Sequence, residues 1–416
     1  MKRNALLICA LIAAVAFTLL ARNSATGGAE GGGSASGPAT TGGTADGGRP
    51  GGAGNPVVPG NPVVPGNPVA PGNQGGSGTS GGVDPDSFFT PTRLKPGERP
   101  PQFIVVSFDG VGSHQKWQFW RGVAQRANMR FTGFLSGVYL VGAEHRAAYR
   151  GPGHLPGRSA IGFPSTDSVG QEILDLNEAW RSGYEIGTHY VGHFCAGSGY
   201  AGNSWTTADW TSELQQFFTF YQRYRQVNAD PGLPTLQVPA GSVKGGRTPC
   251  LEGRPSQLMP ALRSFGFSYD SSGNRAGIAW PRKNSYGIWE FPLGYVPMAG
   301  TGSGVISMDY NFWVKQTGNP PGPGDSVADS RQVAATYQQM FEATYHGNRA
   351  PLVLGNHFNS WNNDAYTTAL ATFVTGACHQ PDTYCVPYRD VIRWMQAQDP
   401  AVLAGLQRLP AVDTVR

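Results

Sequence analysis

The chain has 416 residues and a formal charge of +4 at pH 7. So small an excess, with no basic patch, argues against a nucleic-acid partner. Glycine (59) and proline (33) are abundant, but much of that excess lies before residue 100, leaving residues 99–400 with ordinary globular composition and enough length for one large core.

Lys2 and Arg3 precede an apolar run from Ala5 to Ala21, with small residues near Ala21 and Ala25. Residues 1–25 therefore read as a cleaved export signal or a retained membrane anchor, the run being long for the first and short for the second. The expected location is secreted, or outside the cytoplasmic membrane and held to it only through this segment. Residues 26–98 are low-complexity, and Gly54-Asn55-Pro56-Val57-Val58-Pro59 recurs from Gly60 and, with one change, from Gly66. Regular proline favours an extended chain without a core, able to reach roughly 50 Å as a coil.

Globular sequence starts near Pro100. The apolar run 103–108 reads as a strand ending at Asp109-Gly110. A helix at 115–128, a strand at 131–135 and a helix at 167–182 follow. A short strand at 184–186 then leads to His189 and His193, two imidazoles four residues apart. On a helical turn such a pair shares one face and can meet one divalent ion. Further along come a helix at 206–228, a strand at 236–238 before Arg247, a helix at 256–265, and a strand at 267–269 before Asp270. Strands at 289–291 and 305–308, a helix at 329–346, a strand at 352–354 before His357 and a helix at 388–398 complete the domain. Residues 401–416 read as a tail. The alternation predicts an α/β domain with a mainly parallel sheet. Asp109, His189, Asp270 and His357 all follow strand-like runs, where barrels of alternating strands and helices place their active sites.

Cys195, Cys250, Cys378 and Cys385 fit two disulfides in an exported protein. Cys378–Cys385 and Cys195–Cys250 are the favoured pairs, with free buried thiols as the alternative. No Cys-x-x-Cys spacing supports a zinc site made of cysteines.

The ordered set of motifs resembles the NodB-type polysaccharide deacetylases, carbohydrate esterase family four, over roughly residues 102–396. Ser107-Phe108-Asp109-Gly110 resembles the first motif, His189-x-x-x-His193 the second and Arg247-Thr248-Pro249-Cys250 the third. Tyr269-Asp270-Ser271-Ser272 is similar to the fourth, and Leu352-Val353-Leu354-Gly355-Asn356-His357 to the last, one residue longer. The resemblance implies a distorted (β/α) barrel. It also implies a divalent ion, zinc foremost, and removal of N-acetyl or O-acetyl groups from a polysaccharide such as a cell-wall glycan. His189, His193 and Asp109 would be metal ligands, Asp109, Arg247 and His357 the catalytic set, and the backbone N–H of Cys250 an oxyanion donor.

The chain departs from the family at Gly110, where a second aspartate normally completes the metal triad. Four readings follow: Asp109 binds the ion and the base comes from elsewhere; Asp109 is the base and the ion has two protein ligands; Asp309 fills the gap; or the site is a non-catalytic glycan-binding relic. A zinc protease is disfavoured, since Tyr190 stands where His-Glu-x-x-His needs glutamate. Trp205, Trp210, Trp280, Trp289, Trp313 and Trp361 are candidates for a sugar groove, with core packing the commoner role.

Overall fold

The computed structural model describes residues 88–413. The N-terminal apolar run, nearly all of the linker and residues 414–416 lie outside the described residues. In chain order the elements are β1 (Gln102–Asp109), α1 (His114–Arg126), β2 (Thr132–Leu135), α2 (Thr166–Arg181), β3 (Glu185–Thr188), α3 (Thr207–Val227), β4 (Gly245–Gly246), α4 (Pro255–Ser264) and β5 (Tyr269–Asp270). Then come β6 (Asn274–Ala276), β7 (Arg282–Lys283), β8 (Trp289–Glu290), β9 (Leu293–Pro297), β10 (Gly304–Ile306), α5 (Asp309–Thr317), α6 (Ser326–His346), β11 (Leu352–His357), α7 (Trp361–Ala377), β12 (Thr383–Cys385), α8 (Tyr388–Ala397) and α9 (Pro400–Arg408).

The main sheet runs β11-β1-β2-β3-β4-β5-β8-β7, and β12 pairs with the first residues of β1. Every pairing from β11 to β8 is parallel, and only β7 is antiparallel. β1 is buried along its whole length, as a central parallel strand covered on both faces must be. β6, β9 and β10 form a second sheet. Beyond β10, Met308 bridges to Gly355 of β11 and the Gly355 N–H donates to the Ser307 carbonyl. The second sheet thus ties back to the first strand of the main one, giving the expected distorted barrel.

Helix starts are written locally. Ser113 caps α1 and Ser165 caps α2, while Thr206 and Asp209 form a reciprocal capping box on α3. Glycine matters most in β4. A Cβ on Gly245 would collide with the Tyr269 ring and one on Gly246 with the Thr188 carbonyl. Two bare residues let neighbouring strands close tightly just before Arg247.

Several expectations need correction. The stretch 236–238 is not a strand, because side chains take its backbone donors: the Leu236 N–H donates to the Tyr224 hydroxyl and the Gln237 N–H to Asn177 Oδ1. The globular domain starts before residue 99, since Phe89 is buried against Phe103 and Tyr384, and the Leu94 N–H donates to Gln398. The stretch expected as a tail carries α9 and a backbone bridge from Val412 to Ile278. Both favoured disulfides are present. No helix among the described residues is long and apolar enough to cross a membrane.

Candidate metal centre and active site

The register of the sheet assembles the site. Asp109 ends β1 and pairs with His357 at the end of β11. His189 is the first residue after β3 and Arg247 the first after β4, and the last pair of those strands is Thr188 with Gly246. Ser271 follows β5. Strands β11, β1, β3, β4 and β5 therefore deliver His357, Asp109, His189, Arg247 and Ser271 to one end of the sheet. A cavity of about 600 Å³ opens there, lined by Asp109, His189, His193, Cys250 and His357 among others.

Arg247 is fully buried. Its Nη1 donates to Asp109 Oδ1 (2.9 Å), its Nε to the Ser271 carbonyl (3.0 Å), and its Nη2 to Ser271 Oγ (2.8 Å) and the Tyr388 hydroxyl (2.9 Å). Burial pushes the Asp109 carboxyl upward, but the Arg247 guanidinium, His189 and His357 together hold it below the ordinary carboxylate range. One oxygen is thus tied to Arg247, while Oδ2 faces His357 Nε2 at 4.0 Å.

His189 and His193 come together with ring centroids 5.1 Å apart, though not on a helix. The segment is irregular, and both Tyr190 (φ 58°) and His193 (φ 57°) are left-handed. Buried Glu213 holds the turn between them, accepting from the N–H groups of Val191 and Gly192 and from the Tyr149 hydroxyl. His189 Nδ1 lies 2.8 Å from the Arg247 carbonyl. That acceptor requires the proton on Nδ1, which leaves a lone pair on Nε2. This Nε2 is buried without a hydrogen-bond partner. Burial pushes the His189 pKa down to about 4 and that of His193 to about 3, so both rings are neutral near pH 7, as metal ligation demands. An orphaned imidazole nitrogen, a second neutral histidine and a half-free carboxylate are donor types that suit a divalent ion, although Asp109, His189 and His193 do not bring their ligand atoms within 4.8 Å of one another. The sulfurs of Cys195 and Cys250 also lie near His193, but they are bonded to each other and are not thiolates.

Asp309 does not fill the gap at Gly110. Its oxygens serve His357: Oδ1 lies 2.7 Å from His357 Nδ1, and Oδ2 accepts from the His357 N–H (2.7 Å) and from Asn359 (2.8 Å). Burial pushes His357 down, but Asp309 and Asp109 outweigh it and raise its pKa above the ordinary value. Asp270 is separate from the Asp109 cavity. It lines a second cavity and accepts from Ser272, with burial raising its pKa to about 6. Its neighbours support the third motif instead, Ser271 through Arg247 and Ser272 Oγ by accepting from the Thr248 N–H.

No family model and no curated protein matches this chain. Among solved structures, it is similar to one from Mycobacterium smegmatis described as a polysaccharide deacetylase (15% identity, 79% of this chain and 98% of that one, TM-score 0.47). It is also similar to a family 4 carbohydrate esterase from Streptomyces lividans in complex with acetate (13% identity, 67% and 90%, TM-score 0.34). An allantoinase is a third (12% identity, 74% and 98%, TM-score 0.42). The likeness is one of fold.

Of the six candidate tryptophans, Trp205, Trp210, Trp280 and Trp289 are core residues. Trp313 and Trp361 are half-buried, stack with centroids 5.0 Å apart and line the cavity with Tyr310 and Tyr139. Trp361 also lies 5.0 Å from the His357 ring. Tyr388 and Glu213, which position Arg247 and the histidine turn, were not singled out as site residues by the sequence. Tyr388 opens α8 and Glu213 lies in the second turn of α3, and neither stands in a motif that points to the site.

Proposed function

We propose that this protein is an exported, divalent-metal-dependent hydrolase that removes acetyl groups, N-acetyl foremost, from a polysaccharide. The observation that carries the reading is the convergence of an Arg247-clamped Asp109, two neutral histidines with an orphaned Nε2, and the Asp309–His357 pair on one cavity. His189 and His193 would hold the ion, with Asp109 Oδ2 on the same side. The chemistry an ion supplies when bound is polarisation of the acyl carbonyl and a lowered pKa for a coordinated water. Asp109 Oδ2 accepts the proton of the attacking water, and Arg247 keeps that carboxylate ionised and fixed. His357, charged through Asp309, delivers a proton from Nε2 to the departing amine. The Cys250 N–H, on a turn where Cys250 (φ 55°) and Leu251 (φ 57°) are both left-handed, is the donor proposed for the oxyanion. The half-buried aromatic wall supports a sugar substrate, whose apolar ring faces pack on aromatic rings. Two disulfides support an oxidising compartment.

The test is acetate release from acetylated chito-oligosaccharides and acetylated xylan by protein stripped with chelator and reloaded with zinc or cobalt. Release that depends on metal and disappears in His189→Ala supports the reading, and a protein that binds no metal sinks it. Gly110 favours a second reading, a glycan-binding protein without catalysis. It predicts oligosaccharide binding without acetate release. Gly110→Asp separates the two, because a Cβ there meets only ordinary contacts (3.7 Å to the Tyr139 hydroxyl) and aspartate tolerates a φ of +63° better than most residues. Strong activation in that variant identifies a site lacking only a ligand.

A further inference from the structure

Gly110 removes a carboxylate, and the groups that face the space it leaves are two hydroxyls. Built from the backbone, a Cβ at Gly110 lies 3.7 Å from the Tyr139 hydroxyl and 3.8 Å from Ser136 Oγ. Ser136 is the first residue after β2, the strand between β1 and β3. It therefore occupies in its strand the place that His189 and Arg247 occupy in theirs. Two backbone hydrogen bonds lock it beside the first histidine: the His189 N–H donates to the Leu135 carbonyl (2.8 Å), and the Gly137 N–H donates to the Tyr190 carbonyl (2.7 Å).

Ser136 is wholly buried and its Oγ has no hydrogen-bond partner. A buried hydroxyl is ordinarily satisfied, because burying it unpaired costs free energy. Serine finds a partner more easily than most residues, since its hydroxyl rotates freely. Ser136 and His189, the residues that carry these two orphaned atoms, line the same cavity, together with His193 and Asp109. Two unsatisfied buried groups at adjacent strand ends are explained together by one shared partner.

We propose that Ser136 Oγ, with the Tyr139 hydroxyl beside it, provides the oxygen donor that Gly110 lacks, completing the set of His189 and His193 around the ion. The inference rests on the metal-dependent reading above. Replacing a carboxylate by neutral hydroxyls would leave the ion and its ligands together one unit more positive. The ion is then held less tightly, and it is a stronger Lewis acid. The site is rebuilt rather than decayed.

The test is cobalt binding to chelator-stripped protein, read by titration calorimetry and by the visible spectrum of the bound ion, alongside thermal melting without metal. Ser136→Ala loses no hydrogen bond, so its metal-free melting point should equal or exceed the parent's. Its cobalt affinity should fall at least tenfold and its visible bands should shift. Gly110→Asp in the Ser136→Ala background should restore affinity. Parent-like affinity and spectrum in Ser136→Ala, with cobalt bound by the parent, overturn this inference and leave the function intact. A loss seen in Tyr139→Phe but not in Ser136→Ala overturns the assignment to Ser136. A parent that binds no cobalt overturns both the inference and the function.

Discussion

Replacing Arg247 by methionine should cost the metal-free protein about 3–5 kcal/mol near pH 7, most of it through Asp109. The partners of the guanidinium fare unequally when it goes. Ser271 Oγ still donates to the Phe291 carbonyl, and the Tyr388 hydroxyl keeps Ser107 and Ser271. Asp109 Oδ1 loses the one donor it has among the described residues while the side chain stays nearly inaccessible, at 2% exposure. Burial alone raises a carboxyl by up to roughly 3–5 units, and each unit is worth about 1.4 kcal/mol. In the parent, Asp109 lies below its ordinary pKa, so its contribution is present above that value and lost as pH falls through the folded one. In Arg247→Met the sign reverses: the folded carboxyl holds its proton more tightly than the unfolded one, and stability falls as pH rises. Urea denaturation followed by tryptophan fluorescence, at about pH 4.5 and pH 7 with chelator present, should show a much smaller deficit at the lower pH. Adding Asp109→Asn should recover part of the loss. A deficit below about 1 kcal/mol, or an equal deficit at both pH values with no recovery, would refute the reasoning.

Three further outcomes are expected. Burial raises Glu213 to about 7 from 4.5, so its share of stability is whole below about pH 4.5 and drains away, by roughly 3 kcal/mol, as pH climbs to about 7; Glu213→Gln, which keeps the acceptor for Val191 and Gly192, should flatten that window in denaturation measured against pH. Asp309→Asn removes the carboxylate that keeps His357 charged, so the alkaline limb of the kcat profile should move to lower pH; an unmoved limb would remove His357 as the acid. Trp313→Ala should raise KM for oligosaccharide by about 2–10-fold with kcat nearly kept, the signature of lost uniform binding, and a change in kcat alone would place Trp313 elsewhere in the mechanism.

The strands that carry chemistry were legible because buried parallel strands are written as continuous apolar runs. Phe103–Phe108 and Leu352–Leu354 announce β1 and β11, and the residue that closes each strand, Asp109 or His357, lines the candidate site. β4 escaped notice because two glycines carry no hydrophobic signal, although their bareness is what lets Arg247 enter. α5 and α7 were missed for different reasons. α5 is short and follows an apolar run that reads as strand, and α7 opens with three left-handed residues and is apolar on most sides, which hides its period. The histidine pair was found by its spacing, but the helix invoked for it is absent; Glu213 and two left-handed residues do that work. Asp309 was noticed as a spare carboxylate and turned out to belong to His357. Ser136 needed the strand order, since nothing local in Phe134-Leu135-Ser136-Gly137 says that its neighbours in space are Gly110 and His189.

The Cys195–Cys250 disulfide joins the loop after β3 to the loop after β4, 55 residues apart in sequence. One side of the cavity, carrying His193 and the Cys250 turn, is therefore a fixed jaw. The opposite side is built from α5 and the start of α7, with Tyr310, Trp313 and Trp361, and among the described residues no covalent bond ties it to the first. Adjustment to guests of different bulk then falls more to that aromatic side than to the cystine-linked one. A small molecule designed to block the cavity should therefore be matched in shape to the cystine wall and left adaptable where it meets the indoles.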